Sequence, residues 1–441
     1  MIEIPQNSPL VCSSPLDPMK PALLKTLAIV LLSTLGFLLG WDLLHGGWER
    51  WKEDWTGDYR RRPIPTQAPL ALGPDGYYWG VTSNSYEMPG YLYKMKADGS
   101  KWQIVHTFRP DASPPARMYP QGGLVSDGVD SMLGITSGGP LGTGYGTLYK
   151  INATTGVLTT LVQFTGKSGS NKGSGPQASL VSDGMGFYWG STLAGGTNNT
   201  GTIFKFHPAT GVLTTVVEMP RTLQSQRRMF GPDAPLVSAG NGSWWGTTFY
   251  GGAEHCGTVF KVDTTTGELT TVMEFTTDTG GNEPSGSLVS DGAGFLWGMC
   301  SSGGKGYGTL FKVNATKGAL TTVVEFTGEG GSYPGSIPIA APVSDGHGFL
   351  WGSTQEGGSD SWGTIFKVDI TSGVLTTLVE FEKKESQHKG YRPVAPLVSD
   401  GHGAFLGTTS RGGKKNAGTI FKIDIATGVL TTLVELGKVG P

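Results

Sequence analysis

Ala341–Phe381 reads APVSDGHGFLWGSTQEGGSDSWGTIFKVDITSGVLTTLVEF and holds four β-prone stretches, APVSD, FLWGST, GTIFKVD and VLTTLVEF, divided by turn chemistry. The Asp345-Gly346 step between the first two favours a tight hairpin because Gly tolerates positive φ. Thr371-Ser372-Gly373 does the same between the last two. Within GTIFKVD, Ile365 and Lys367 fall on one face and Phe366 and Val368 on the other, the two-residue period of a strand.

The phrase occurs seven times. Its Asp-Gly step falls at Asp75, Asp127, Asp183, Asp291, Asp345 and Asp400, with Ala239-Gly240 in the fourth copy, so the period is 52 to 56 residues. A four-strand unit at that period predicts an all-β chain, a seven-bladed β-propeller of four-stranded blades over residues 69–441. One blade cannot bury both its faces, so positions equivalent to Trp351 and Phe366 are expected to fill the gaps between blades. Trp79, Trp189, Trp245 and Trp297 hold the Trp351 position, while Leu133 and Leu406 depart from it. The first copy begins near Pro69 and the last ends at Leu436, so closure is expected from packing of blade one on blade seven without an exchanged strand.

GTIFKV, TGxLTTL and LVSDG at fixed spacing resemble the GloVer-type tandem extracellular repeat, over about five-sixths of the chain. The aromatic strand followed by GG, a FKVD-like strand and TTG is more distantly similar to the kelch pattern. The GloVer resemblance implies an extracytoplasmic location, often with a surface anchor, and brings no catalytic residues with it. An N-terminal anchor departs from members that carry a C-terminal sorting tail.

Such an anchor is read directly from the residues. Thr26–Trp41 is TLAIVLLSTLGFLLGW, without a charge, extended by Leu23, Leu24, Leu43 and Leu44. A transmembrane helix over 21–45 follows, with residues 1–20 before it and a linker at 46–68. Lys25 lies at the membrane interface, and Trp41, Trp48 and Trp51 form an aromatic belt. The competing reading, a cleaved signal peptide, lacks an A-x-A-like site after the apolar run. Lys20 and Lys25 favour a cytoplasmic N-terminus and a periplasmic or extracellular propeller, against which stand Arg60, Arg61 and Arg62.

Gly supplies 71 of 441 residues and charged residues only 15%, the balance of a turn-rich chain. A net charge of −2 offers no basic field for nucleic acid, which is excluded as an expected partner. Cys12, Cys256 and Cys300 are too few for a disulfide framework, and the pairing of Cys256 with Cys300 stays open.

No catalytic, cofactor-binding or metal-binding set stands out. His347 and His402 read as exposed hairpin residues in DGHG turns, blade-width apart and without companion carboxylates. The repeated Asp supplies one carboxylate per turn, far short of calcium's six to eight oxygens, and is explained by turn formation. GGTNNTG and GGKGYG join strands and lack the GK[ST] ending of a phosphate loop.

In a four-stranded blade the first-to-second and third-to-fourth connections share one face of the disc. The second-to-third and blade-to-blade loops share the other, where the long connections TGKSGSNKGSGPQ from Thr165, PRTLQSQRRMFGPD from Pro220 and EKKESQHKGYRP from Glu382 differ from one another. Loops on a rigid frame are where recognition concentrates. Two partner-contact clusters are expected there: Arg221, Arg227, Arg228, Met229 and Phe230, and Lys383, Lys384, Lys389, Tyr391 and Arg392. The leading expectation is a non-catalytic accessory or scaffold subunit of a larger membrane complex, energy-transducing, photosynthetic or respiratory. The alternatives are a glycan- or polymer-binding surface module and a lyase or hydrolase with a central-channel site.

Overall fold

In the sixth copy the four stretches form Val343–Ser344, Phe349–Thr354, Thr364–Asp369 and Leu375–Glu380. They pair antiparallel in chain order, Trp351 opposite Lys367 and Phe366 opposite Thr377. The computed structural model describes residues 64–65, 68–83, 90–108, 119–138, 144–220, 231–240, 242–276, 280–382 and 390–437. Within these, seven sheets follow one another, and strand order inside each follows the chain. The expected seven-bladed ring is therefore the fold. The expected anchor, with Lys25, Trp41, Trp48 and Trp51, lies outside the described residues; among those described, no helix is long and apolar enough to cross a membrane.

Two sheets have five strands rather than four. In blade seven, Gly390–Pro393 and Val398–Ser399 both pair with Ala404–Gly412, and in blade one Ile64–Pro65 and Ala71–Leu72 both pair with Tyr78–Ser83. The first strand is broken, not supplemented. In blades two and five it stays continuous but slips register between Gln121 and Val125 and between Ser285 and Val289.

The gaps between blades are the core, as the strand period requires. Trp351 and Ile365 pack with Leu397, Phe405 and Phe421 of blade seven. Phe366 and Val368, on the opposite face, pack with Trp297, Met299 and Phe326 of blade five. At ~1.5–3 kcal/mol per fully buried large apolar side chain, these seams carry the hydrophobic stabilisation of the ring.

Every outer strand contains a bulge where the third and fourth strands shift register, as between Ile365 and Phe366. At every seam but that of Gly211, the bulged aliphatic residue reaches the hairpin glycine of the next blade: a Cβ on Gly318 would stand 2.9 Å from Val272, and one on Gly373 3.0 Å from Val323. The same contact closes the ring, with Gly99 of blade one facing Leu433 of blade seven. There Leu70, Tyr78 and Tyr93 share a cluster with Leu406, Ile420 and Leu436. Tyr78 Oη also donates to Ser399 O at 3.1 Å. Closure by packing, without an exchanged strand, is what the whole-blade boundaries predicted.

Cys256 and Cys300 are both free thiols. Cys300 occupies the position that elsewhere forms a buried threonine pair, such as Thr354 with Thr364 at 2.8 Å, and burial pushes its thiol pKa up.

Candidate interaction surface

On the face built from Asp-Gly hairpins, the repeated polar groups bond to the fold itself. Asp345 Oδ1 accepts the N–H groups of His347 and Phe349, and Oδ2 accepts the indole N–H of Trp351 at 3.2 Å. Asp183–Trp189 and Asp291–Trp297 repeat the arrangement, and Asp75 bonds Trp79 Nε1 at 3.1 Å. The sequence reading gave Asp only its turn role; its second role, holding the tryptophan of the seam, went unseen. In blade one Lys94 joins at 2.9 Å from Asp75. Burial raises the Asp75 pKa, and the bonds from Lys94, Trp79 and Tyr77 more than offset it, leaving the carboxyl below its usual value.

Two of the three departures from this pattern, the third being Leu133 in blade two, test it internally. Blade seven has Leu406 in place of Trp, and Asp400 pairs instead with Lys422 at 2.8 Å. Blade four has Ala239 in place of Asp, and the Trp245 indole N–H is buried without a partner. His347 and His402 are exposed on these turns, as expected. Val157, Val212, Val374 and Val429 stand singly on the hairpin tips of blades two, three, six and seven, which is ordinary for a surface.

On the opposite face, the glutamate ending the outer strand of blades three, four, six and seven pins a second-to-third loop. Ala253 N–H donates to Glu274 at 2.8 Å and Lys414 N–H to Glu435 at 2.9 Å. Glu218 accepts from Lys172 at 2.6 Å and from Thr197 N–H, which together pull its pKa down to about 2. Blade-to-blade connections are latched by residues at positive φ: Ile337 N–H donates to Tyr307 O and Arg392 N–H to Trp362 O. Ile337 (φ 53) and Arg392 (φ 57) hold this geometry despite their side chains, where the corresponding residue at the blade two–three seam is Gly175 (φ 63).

Of the residues expected to contact a partner, Arg221, Arg227, Arg228, Met229, Phe230, Lys383, Lys384 and Lys389 lie outside the described residues. Tyr391 and Arg392 are described and already engaged. Arg392 pairs with Glu356 at 3.0 Å and lies 5.3 Å from the centre of the Trp362 ring. Tyr391 meets Trp362 edge-on at 4.9 Å and donates its hydroxyl to Asn416 at 3.0 Å. Glu356 and Trp362 were missed: each stands where the copies differ, Glu356 where blade three has Ala194, and Trp362 where blades two and five have Tyr145 and Tyr307 and blade three has Thr200.

The connection from Thr165 has a counterpart elsewhere in the ring: TGEGGSYPGSIPI from Thr327 reproduces it, with bridges Gly166–Gly173 and Ser174–Ala194 matched by Gly328–Gly335 and Ser336–Glu356. Tyr145 rests on Gly166 as Tyr307 rests on Gly328, a Cβ on either glycine standing 2.7 Å from the ring.

The first-strand position after the seam proline carries Gln121, Gln177, Asp233, Ser285, Ile339 and Val394 in blades two to seven, so it supplies a single carboxylate. Asp233 Oδ1 is buried without a partner, and desolvation raises the carboxyl pKa to about 6. Among the described residues, no group of three or more His, Cys, Asp or Glu is placed to hold a metal.

The family model for the Gloeobacter/Verrucomicrobia repeat matches residues 65–305, 222–342 and 334–440. No curated protein sequence matches the chain. Among solved structures, a puromycin hydrolase is 15% identical over 86% of this chain and 55% of its own, with a TM-score of 0.52. The GH74 enzyme of Niastella koreensis is 13% identical over 84% of this chain and 54% of its own, with a TM-score of 0.54. The chain thus spans about half the length of either, and at these identities the likeness is one of fold.

Proposed function

The chain belongs to the Gloeobacter/Verrucomicrobia repeat family, and from that premise we propose that it is a non-catalytic, membrane-anchored scaffold. Its propeller would brace a larger membrane complex on the periplasmic or exported side, through the face of blade-to-blade loops. One observation carries the reading. The polar side chains repeated around the ring bond within the fold, as Asp345 and Glu274 do, whereas polar and aromatic side chains at positions that vary between copies, Glu356, Trp362, Tyr391 and Arg392, gather on that loop face. The chain also joins the ring on this face, where Ile64–Pro65 pairs with Thr82–Ser83 at the far end of a second strand. Purification of the tagged full-length chain in mild detergent tests the proposal. A stoichiometric companion subunit is expected, and recovery as a lone monomer would overturn it.

A second reading, hydrolase or lyase chemistry, is favoured by Asp233, whose desolvated carboxyl is of the kind that serves as a general acid. The puromycin hydrolase and GH74 enzyme show that propellers of this form occur in hydrolytic enzymes. Turnover of a glycoside or peptide substrate that is abolished by Asp233→Asn would replace the scaffold reading with this one.

A further inference from the structure

We propose that the loop face across blades five to seven is a binding site for a neutral saccharide chain, with Tyr307, Trp362 and Tyr391 as stacking surfaces and the Glu356–Arg392 pair as its hydrogen-bonding centre. The inference goes beyond the scaffold reading, because a scaffold needs no ligand of this kind.

The elements form one continuous strip. Tyr307 sits on Gly328, and the loop carrying Gly328 is bridged to Glu356 through Ser336. Glu356 pairs with Arg392, Arg392 lies over Trp362, and Trp362 meets Tyr391. Tyr307, Trp362 and Tyr391 are each partly exposed. Aromatic side chains in this state offer rigid apolar surface at low entropic cost, with a few placed polar groups to fix orientation.

The chemistry selects the ligand class. Arg392 is already neutralised by Glu356 at 3.0 Å, so a phosphate or carboxylate would have to displace that carboxylate. A polyhydroxyl ligand does not: it can donate to Glu356 and accept from Arg392 at once, while its C–H faces lie on the rings. A strip crossing two seams also suits an extended chain better than a compact metabolite.

The duplicated backbone supplies the control. At the blade two–three seam the same bridges recur, but Ala194 stands for Glu356, Thr200 for Trp362 and Gly175 for Ile337. The fold is therefore built without these side chains there. At the blade five–six seam Glu356 and Ile337 are present even though Ile337 must hold positive φ, a geometry that strains residues with a Cβ and that Arg392 also holds at the blade six–seven seam.

The test uses full-length protein and hexasaccharides of β-1,4-linked glucose, xylose and N-acetylglucosamine, titrated by calorimetry. Saturable binding of at least one is expected. Trp362→Ala and Tyr307→Ala should each weaken it tenfold or more, Trp362→Phe should hold it within threefold, and Tyr145→Ala should leave it unchanged. Thermal melts establish that each variant is folded, and Trp362→Phe keeps the ring if Trp362→Ala does not fold. Absence of binding to all three probes, or binding indifferent to Trp362 and Tyr307, overturns the proposal. Copurification of a companion subunit with Trp362→Ala separates the two ideas: loss of sugar with the companion retained supports this site and leaves the scaffold reading intact.

Discussion

Replacing Ala239 by Asp should stabilise the propeller, because blade four is the copy whose turn lacks the carboxylate while keeping the tryptophan. In blades three, five and six the Asp accepts two turn N–H groups and the indole N–H, at 2.7 to 3.4 Å. In blade four the Trp245 indole N–H is buried and unpaired, and the turn itself is looser, Ala239 N–H reaching Ser243 O at 3.4 Å where Asp345 N–H reaches Phe349 O at 3.1 Å. A buried unpaired donor costs ~1–3 kcal/mol, and each restored bond is worth ~0.5–1.5 kcal/mol net. Against this stands the side-chain entropy of ordering the new Asp, so a net gain of ~1–2 kcal/mol is expected. With an unfolding entropy near 2.1 cal/mol/K per residue over roughly 370 residues, that is a rise in Tm of only ~1–3 °C, so urea denaturation is the better assay. Repeating the substitution in a Trp245→Phe background isolates the indole bond, whose coupling should be ~1 kcal/mol. An Ala239→Asp gain of the same size in both backgrounds, or no gain at all, refutes the assignment of the aspartate's second role.

Gly99→Ala and Gly211→Ala both place a Cβ at positive φ, but only the first also meets Leu433 at 2.8 Å across the closing seam, the second having nothing within 4 Å. Gly211→Ala should cost ~1–2 kcal/mol and Gly99→Ala ~1–3 kcal/mol more by denaturation, and equal losses would mean that closure does not use this contact. Asp233, with its pKa raised to about 6 by desolvation, is favoured neutral in the fold, so its contribution is complete below about pH 4 and is lost as pH rises through about 6. Asp233→Asn should match the parent near pH 4 and exceed it near pH 7.5 by up to about 2–3 kcal/mol, and stability curves that run parallel across this range would contradict the desolvation. Cys300, buried and with its thiol pKa raised, should resist alkylation until urea unfolds the ring, and non-reducing mass analysis should find no Cys256–Cys300 bridge.

The ring was legible because its signals are local: a Gly turn, a strand of period two and a repeat length that fits one blade. Trp351 and Phe366 could be placed in opposite seams from alternation alone, and both are there. What stayed hidden depends on pairs that meet only after folding. The Asp345–Trp351 bond forms across a hairpin, and spacing along the chain does not show that Oδ2 faces the indole. The outer-strand glutamates looked like solvated strand ends, yet Glu274 and Glu435 tie down loops of their own blades. Arg392 drew notice as one charge in a basic loop, but its partners Glu356 and Trp362 come from the preceding blade.

A tandem repeat carries its own control, and here it sorts single-copy departures into two physical kinds. Ala239 and Asp233 each coincide with a buried group left without a partner, at Trp245 Nε1 and at the Asp233 carboxyl itself. Glu356 and Trp362 instead add contacts where blade three has Ala194 and Thr200, on backbone that forms the same bridge to Ser174 without them. Departures of the first kind weaken the ring, and reversing them should raise stability. Those of the second kind are not needed for closure, so removing them should change what the loop face binds far more than whether the ring folds. Trp362→Thr, which installs the blade-three residue Thr200 at this position, should therefore leave the denaturation midpoint within about 1 kcal/mol of the parent, the range of ordinary surface changes plus the loss of one half-buried ring contact. A collapse of the ring on that exchange would place Trp362 with the structural residues and remove the reason for reading the strip as a recognition surface.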